Sequence, residues 1–241
     1  MKTLLIQLLL VIIPTLTFGQ INSSVDFIFG LESSYRTLKN TSDDAVVQNI
    51  IQIRNSTELN KLNWRFGFNY NKRLSTKFVL KTGIRLASVG YKFEKMTDLR
   101  WPSEIGPNGY MFDPSLPHEL ELIQDYWFIE IPVAARFELS KKKFAPFIEM
   151  GVSPSIYMTT RTKTITDIDS KTTTQRGGTG DYNNMHLVGF TSFGVNYSLN
   201  DKFQLFGQGI YRYHFTKLVD APIAENLYNY GLEIGVRRRL N

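Results

Sequence analysis

His118, His186 and His214 are the only imidazoles in the 241-residue chain, and it has no cysteine. Acid–base or metal chemistry would have to start from these three. His118 follows Pro117 in a polar, proline-rich stretch. His186 and His214 stand at the ends of two alternating segments, on their polar faces, so a fold that sets those segments side by side could bring the rings together. With Asp181 or Asp220 they could ligate a metal ion; otherwise they are polar rim residues. A lipid-modifying enzyme would need a histidine, a hydroxyl and an acid turned towards the membrane, and neither ring falls on an apolar face. The run Arg176-Gly177-Gly178-Thr179-Gly180-Asp181 is glycine-rich. A phosphate cradle needs a strand before it and a helix after it, and this run reads as a hairpin tip. Asp167 and Asp169 could touch calcium but lack the rest of an ion loop. Without a thiol there is no thiolate nucleophile and no disulfide. The chain is therefore expected to be no enzyme, with no catalytic residue, no metal site and no cofactor. The alternative is an outer-membrane enzyme or ion-binding barrel that uses His186 and His214 near the external rim.

The densest chemistry lies elsewhere, in charges recurring at every second position. Glu32, Arg36, Arg65, Lys81, Arg85, Glu130, Arg136, Glu138, Glu149, Arg212, Glu233 and Arg237 alternate with apolar side chains. Phe27, Phe29, Leu31 and Tyr35 oppose Gly30, Glu32, Ser34 and Arg36; Trp64, Phe66, Phe68 and Tyr70 oppose Arg65, Gly67, Asn69 and Asn71. That period of two belongs to β-strands, and eight such segments follow one another. A soluble barrel would turn the apolar face inward, whereas a membrane barrel exchanges the faces. Gly30, Gly67, Gly83, Gly151, Gly194, Gly231 and Gly235 share the polar face, as a narrow lumen requires. Several segments alternate past ten residues, enough to cross a bilayer at a tilt. Trp64, Tyr70, Trp127, Tyr157, Tyr197, Tyr211, Tyr213 and Tyr228 stand near the ends of the apolar stripes, where interfacial girdles form. Gly207 and Gly209 fall on the apolar face without an evident reason. The membrane arrangement makes the charges a lumen. An eight-stranded barrel is narrow enough for side chains to fill it, and buried charges must pair. A structural network of Glu32, Arg36, Arg65, Arg85, Glu130, Arg136, Glu149, Arg212, Glu233 and Arg237 is expected to plug it; a proton or ion path is the sharper alternative.

The connections alternate in length. Asn40 to Lys61, Met96 to Asp125 and Ile165 to Asn184 are long and polar; Ser75-Thr76, Ser140 to Lys143 and Asn200-Asp201 are tight. Outer-membrane barrels show this asymmetry. The expected fold is all-β: an eight-stranded antiparallel transmembrane up-and-down β-barrel with short periplasmic turns and long external loops. The threonine-rich run from Thr159 to Thr174 is expected to carry one hairpin beyond the membrane. Pro132, which lacks a ladder donor, requires a bulge or an unpaired position.

Residues 1–19 read as a cleaved signal peptide: Lys2, an apolar run from Leu4 to Ile13, Pro14, then small residues. Residues 20–241 read as one outer-membrane barrel domain. The formal net charge of +6 is spread along the chain, so no nucleic-acid surface is indicated; contact with outer-membrane lipid headgroups accounts for it.

At Tyr126-Trp127-Phe128-Ile129-Glu130-Ile131-Pro132 the chain resembles the outer-membrane β-barrel domain of the PorT-like family. Arg136, Pro146-Phe147, Gly151 and the pair Tyr211-Arg212 continue the resemblance, which spans roughly Val25 to Leu240. It implies an eight-stranded barrel in a Gram-negative outer membrane and carries no activity. The family's named member is implicated in secretion and maturation of exported proteins. The end of this chain, Arg237-Arg238-Arg239-Leu240-Asn241, has leucine where an aromatic is usual. One connection stands out as a binding surface. Between Asp98 and Asp125, Trp101, Tyr110 and Phe112 are interspersed with prolines. They are expected either to fold over the barrel mouth as a lid or to bind another envelope or secreted protein.

Overall fold

The computed structural model describes residues 23–42, 44–107, 109–140, 142–176, 182–219 and 221–240; residues 1–19, expected from the sequence to be a signal peptide, lie outside them. Alternation produces long antiparallel strands: β1 (Ser23–Asn40), β2 (Glu58–Arg73), β3 (Phe78–Phe93), β6 (Leu120–Glu130), β7 (Val133–Glu138), β8 (Phe144–Thr166), β10 (Met185–Ser198), β11 (Phe203–His214) and β12 (Ile223–Leu240). A minor hairpin, β4 (Ile105–Gly106) with β5 (Gly109–Tyr110), sits in the second long loop. Strand β9 (Ser170–Arg176) pairs only with β8. Ten strands share the main sheet. Since β6 and β7 together make one wall and β9 only extends a hairpin, eight walls remain. They run in sequence order, and β12 returns to β1 in unbroken register from Ser23↔Leu240 to Asn40↔Ile223. Among the described residues every wall pairs with a neighbour on each side over part or all of its length, the condition for strands in hydrocarbon.

Burial fixes which face is which. Leu232 is 69 % exposed while Glu149 is 0 % exposed. Phe27, Phe29, Leu31, Phe68, Ile84 and Phe193 also face outward, while Arg65, Arg85, Arg136, Arg212, Glu130 and Glu233 are buried. Apolar surface outside and charge inside is stable only where the surroundings are hydrocarbon.

Four details depart from strict alternation. First, the wall of β6 and β7 breaks at Ile131-Pro132 without changing register. Arg85↔Glu130 and Thr82↔Val133 keep the same offset on one side, and Glu130↔Ser155 and Val133↔Val152 keep it on the other. Pro132 therefore sits at an unpaired position and not a bulge, and Ile131 donates its N–H to the Pro154 carbonyl at 2.9 Å. Second, a bulge lies in β8 opposite Trp127/Phe128. Tyr157, expected in an interfacial girdle, is buried instead, because it lies on the inward parity of β8 below that bulge. Third, the first long connection contains a helix, α1 (Ala45–Thr57), where alternation alone suggested an irregular loop. Asp44 caps it by accepting the Val46 N–H at 2.8 Å, and Val46-Val47 followed by Ile50-Ile51 gives the helical spacing. Fourth, above the barrel β6, β8 and β9 continue as a three-stranded extension built on the threonine run.

Inner glycines have a steric cause. A Cβ on Gly67 would strike the Ile84 carbonyl and the Arg85 backbone, and one on Gly83 the Phe68 carbonyl and Asn69. Gly207, on the lipid side, has open space around it. Gly83→Val is accordingly expected to abolish the heat-modifiable folded band on a gel after refolding into detergent. Gly207→Val should fold to wild-type yield.

Candidate functional site

The lumen network is stacked in tiers. Nearest the short turns, Arg237 forks Asp26 through two N–H groups at 2.7 and 3.1 Å, and Arg73 pairs with Glu138 at 2.7 Å. In the next tier Glu149 is shared: Lys81 donates to both its oxygens at 2.8 and 2.9 Å, and Arg136 donates to Oε2 at 2.7 Å. Higher, Arg65 forks Glu130 with two 3.0 Å bonds and also pairs with Glu32. Arg212 joins Glu32 at 3.2 Å to Glu233 at 2.5 Å. Arg85 stands 3.7 Å from Glu233. Asn229 and Gln208 donate to the remaining oxygens of Glu32 and Glu233. Forked guanidinium–carboxylate pairs fix geometry as well as charge.

Rings separate the tiers. The Arg136 guanidinium lies 3.9 Å above Phe147, Arg212 lies 5.0 Å above Phe190, and Arg237 lies 5.6 Å above Phe206. Cations on aromatic faces recover part of the solvation lost on burial.

Arg36 belongs to a different group. It faces the long-loop mouth, where it pairs with Glu58 at 2.6 Å. Arg54, from α1, binds Glu58 at 2.5 Å and Glu225 at 2.9 Å. Sequence reasoning missed Arg54 and Glu225, since both lay in segments read as loop or strand end. Below this group the mouth is filled by Val89, Tyr91, Tyr126, Phe128, Tyr157, Leu218 and Leu227, with Tyr182 and Val219 packed against them. The segment that stops the mouth thus comes from the β11–β12 connection.

His186 and His214 line the underside of that cluster. Both are buried, their ring centroids are 6.0 Å apart, and Phe128 lies between 5.1 and 5.4 Å from each. His186 Nε2 meets the Asn183 carbonyl at 2.8 Å. Among the described residues no group of three or more histidine, aspartate or glutamate side chains has metal-ligand spacing. Asp181 and Asp220 lie outside those residues. Asp167 is engaged as an anchor: its carboxylate accepts the His118 N–H at 3.1 Å and also receives Glu119 N–H.

The second long loop is built around Glu104. Its carboxylate accepts the N–H of Trp101 at 2.9 Å and of Asp113 at 2.8 Å, and meets His118 Nε2 at 2.7 Å. Burial alone would push this acid up. The two backbone donors and the His118 ring outweigh it and hold the carboxyl down to about 2. Phe112 stacks on His118 at 4.4 Å, and the Trp101 indole donates to the Pro117 carbonyl at 2.8 Å. The outer surface of this platform is apolar: Met111 is 68 % and Phe112 62 % exposed, and Trp101, Ile105 and Tyr110 are exposed beside them.

A family model described as an outer membrane protein beta-barrel domain matches residues 18–220. The chain belongs to that family. It is a protein of the Gram-negative outer membrane. Among solved structures it is similar to OprG from Pseudomonas aeruginosa, with 10 % identity over 92 % of this chain and 98 % of that one, TM-score 0.48. It is also similar to Neisserial surface protein A, with 12 % identity over 89 % and 97 %, TM-score 0.41. A third is the outer membrane protease OmpT from Escherichia coli, with 8 % identity over 94 % and 100 %, TM-score 0.48. No curated protein sequence matches the chain.

Two outcomes follow from the geometry. Arg65→Met leaves Glu32 and Glu130 short of a buried cation, so the temperature at which the folded band converts should fall steeply, with a loss of about 3–5 kcal/mol. Glu104→Ala should accelerate amide exchange across the second long loop roughly tenfold at pH 7, read by mass spectrometry. Because the folded carboxyl titrates at about 2, below its ordinary 4.5, its contribution is complete above 4.5 and is lost as pH falls towards 2. Wild-type protection should therefore persist at pH 5.

Proposed function

We propose that this protein is a non-enzymatic outer-membrane scaffold of the PorT-like type, which binds another envelope or secreted protein through its second long loop. The observation that carries the reading is the platform on Glu104. A buried carboxylate that accepts from Trp101, Asp113, His118 and the Tyr110 hydroxyl holds Trp101, Tyr110, Met111 and Phe112 outward, and rigid exposed aromatics are what binding hot spots use. The lumen gives complementary support, since its charges are paired to one another and its long-loop mouth is filled, which suits a barrel used as a mount. The short turns face the periplasm in this reading and the loops face outside, as the lengths of the connections favour.

The residues behind the PorT-like resemblance support the finer assignment. Glu130, Arg136 and Arg212 are network members, Phe147 carries the Arg136 guanidinium, and Pro132 marks the break in the wall. A second reading, an ion-binding or enzymatic site, rests on His214, whose two ring nitrogens lack hydrogen-bond partners although buried.

One comparison separates the two. Trp101→Ser/Phe112→Ser and His186→Ala/His214→Ala variants are expressed in the native host, checked for heat-modifiable migration, and cross-linked on intact cells. The loop variant is expected to lose at least tenfold of the captured partner while the histidine variant keeps it. Loss of the cellular phenotype in the histidine variant alone would refute the scaffold reading.

A further inference from the structure

The bulge in β8 has an effect on the outside of the barrel. Phe128 pairs with Tyr157 and Trp127 with Thr159, so Met158 is the extra residue. Below it the even-numbered side chains of β8 face lipid: Ile148, Met150, Val152, Ile156 and Met158 are exposed, while Tyr157 is buried. Above it the parity is exchanged. Thr160 is buried, and Arg161 and Lys163 stand exposed on the outer face. Strict alternation would have turned both cations to the inner face with Tyr157. Bulges are a recurrent means of re-aiming side chains.

The same strand sets their height. Between Ile148 and Met158 a strand tilted by about 40° climbs about 25 Å, the height of the hydrocarbon band. Arg161 lies just beyond that edge. Its guanidinium is 5.0 Å from the centre of the Trp127 ring, and Trp127 packs on Trp64 at 5.0 Å. Paired indoles at this level are what an interfacial girdle uses.

Charge on this face is not balanced. Lys61 pairs with Asp125 at 2.5 Å, and Lys92 with Glu121 at 3.6 Å. Asp125 stands opposite Arg161 in register, yet its carboxylate goes to Lys61 and Ser88. Among the described residues neither Arg161 nor Lys163 has a hydrogen-bond or carboxylate partner. The ligand follows from the place. At the edge of the hydrocarbon, on the face turned to lipid, the anions within reach are headgroup phosphates, and a guanidinium matches a phosphate with two parallel N–H bonds. A protein carboxylate would have to enter between the headgroups to reach the same spot. With the long loops outside, as the orientation above has it, the leaflet is the outer one, where lipid A presents its phosphates.

We propose that Arg161 and Lys163, set over Trp127 by the β8 bulge, bind a lipid A phosphate and hold one lipid of the outer leaflet against the walls β6 and β8.

The test uses the purified full chain in neutral detergent micelles and native mass spectrometry, with lipid A as the probe. Lipid A is expected to stay bound, and its dephosphorylated form to bind at least tenfold more weakly. Arg161→Gln/Lys163→Gln should weaken lipid A binding about tenfold, with heat-modifiable migration retained, since both side chains are exposed. Lys171 pairs with Thr164, which shares the parity of the buried Thr160, and so lies on the opposite face of the extension; Lys171→Gln should leave binding unchanged. Inorganic phosphate at constant ionic strength should not displace the lipid; displacement would make this a site for free phosphate and overturn the lipid assignment. No retention of lipid A, equal retention of the dephosphorylated form, affinity unchanged in the double variant, or an equal loss in Lys171→Gln would also overturn the proposal. Trp101→Ser/Phe112→Ser should leave lipid binding unchanged, so failure here is distinct from failure of the loop reading. Protease added to intact cells and cutting only at the short turns would put Arg161 in the inner leaflet and remove lipid A as the ligand.

Discussion

Glu149 lies within the barrel wall at bilayer depth with no solvent contact, and it is stable there because Lys81 and Arg136 reach it from two other walls. The same condition governs every charge of the lumen: in a medium that cannot solvate an ion, a carboxylate must meet its cations inside the protein. Meeting it sets the barrel's width, since Lys81, Glu149 and Arg136 belong to different walls and their reach limits how far those walls can separate. It sets the glycines as well. Arg85 and Asn69 have room against the wall because Gly67 and Gly83 have no side chain there.

The period of two carried most of the fold. Leu232 and Ile234 outward, Glu233 inward, could be separated on parity alone, and the lengths of the connections indicated how the walls are joined. Partners within the lumen were not legible. Parity says that Glu130 faces in; it does not say that Arg65, two walls away, will fork it, because cross-barrel distances depend on register and tilt. Arg36 illustrates the limit: it shares parity with Glu32 on β1, yet two pleats further along it reaches the mouth, where Asn55 of α1 and Glu58 at the start of β2 are its partners.

The departures from parity each have a local cause. Tyr157 looked interfacial because aromatics cluster at stripe ends, but its inward parity and the bulge just above it place it in the mouth core. Helix α1 was hidden because a long polar connection in a barrel invites an irregular assignment, although Asp44 and the apolar pairs after it state a capped helix. The donors on Glu104 come from residues up to fourteen positions away, so no short motif announces that loop's order.

The pairing of β1 with β12 along their full lengths has a consequence for how the chain must be made. The edge of β1 that faces away from β2, from Ser23 to Asn40, finds its partners in Ile223–Leu240, which leave the ribosome and the translocon after all the other walls. Until those residues arrive, the first strand has an unsatisfied ladder that no membrane interior would accept and that another chain could pair with. Closure therefore waits for the eighth wall and cannot be reached by adding hairpins one at a time into lipid. The chain has to be kept apart from its neighbours, in water, for as long as the whole of it takes to cross.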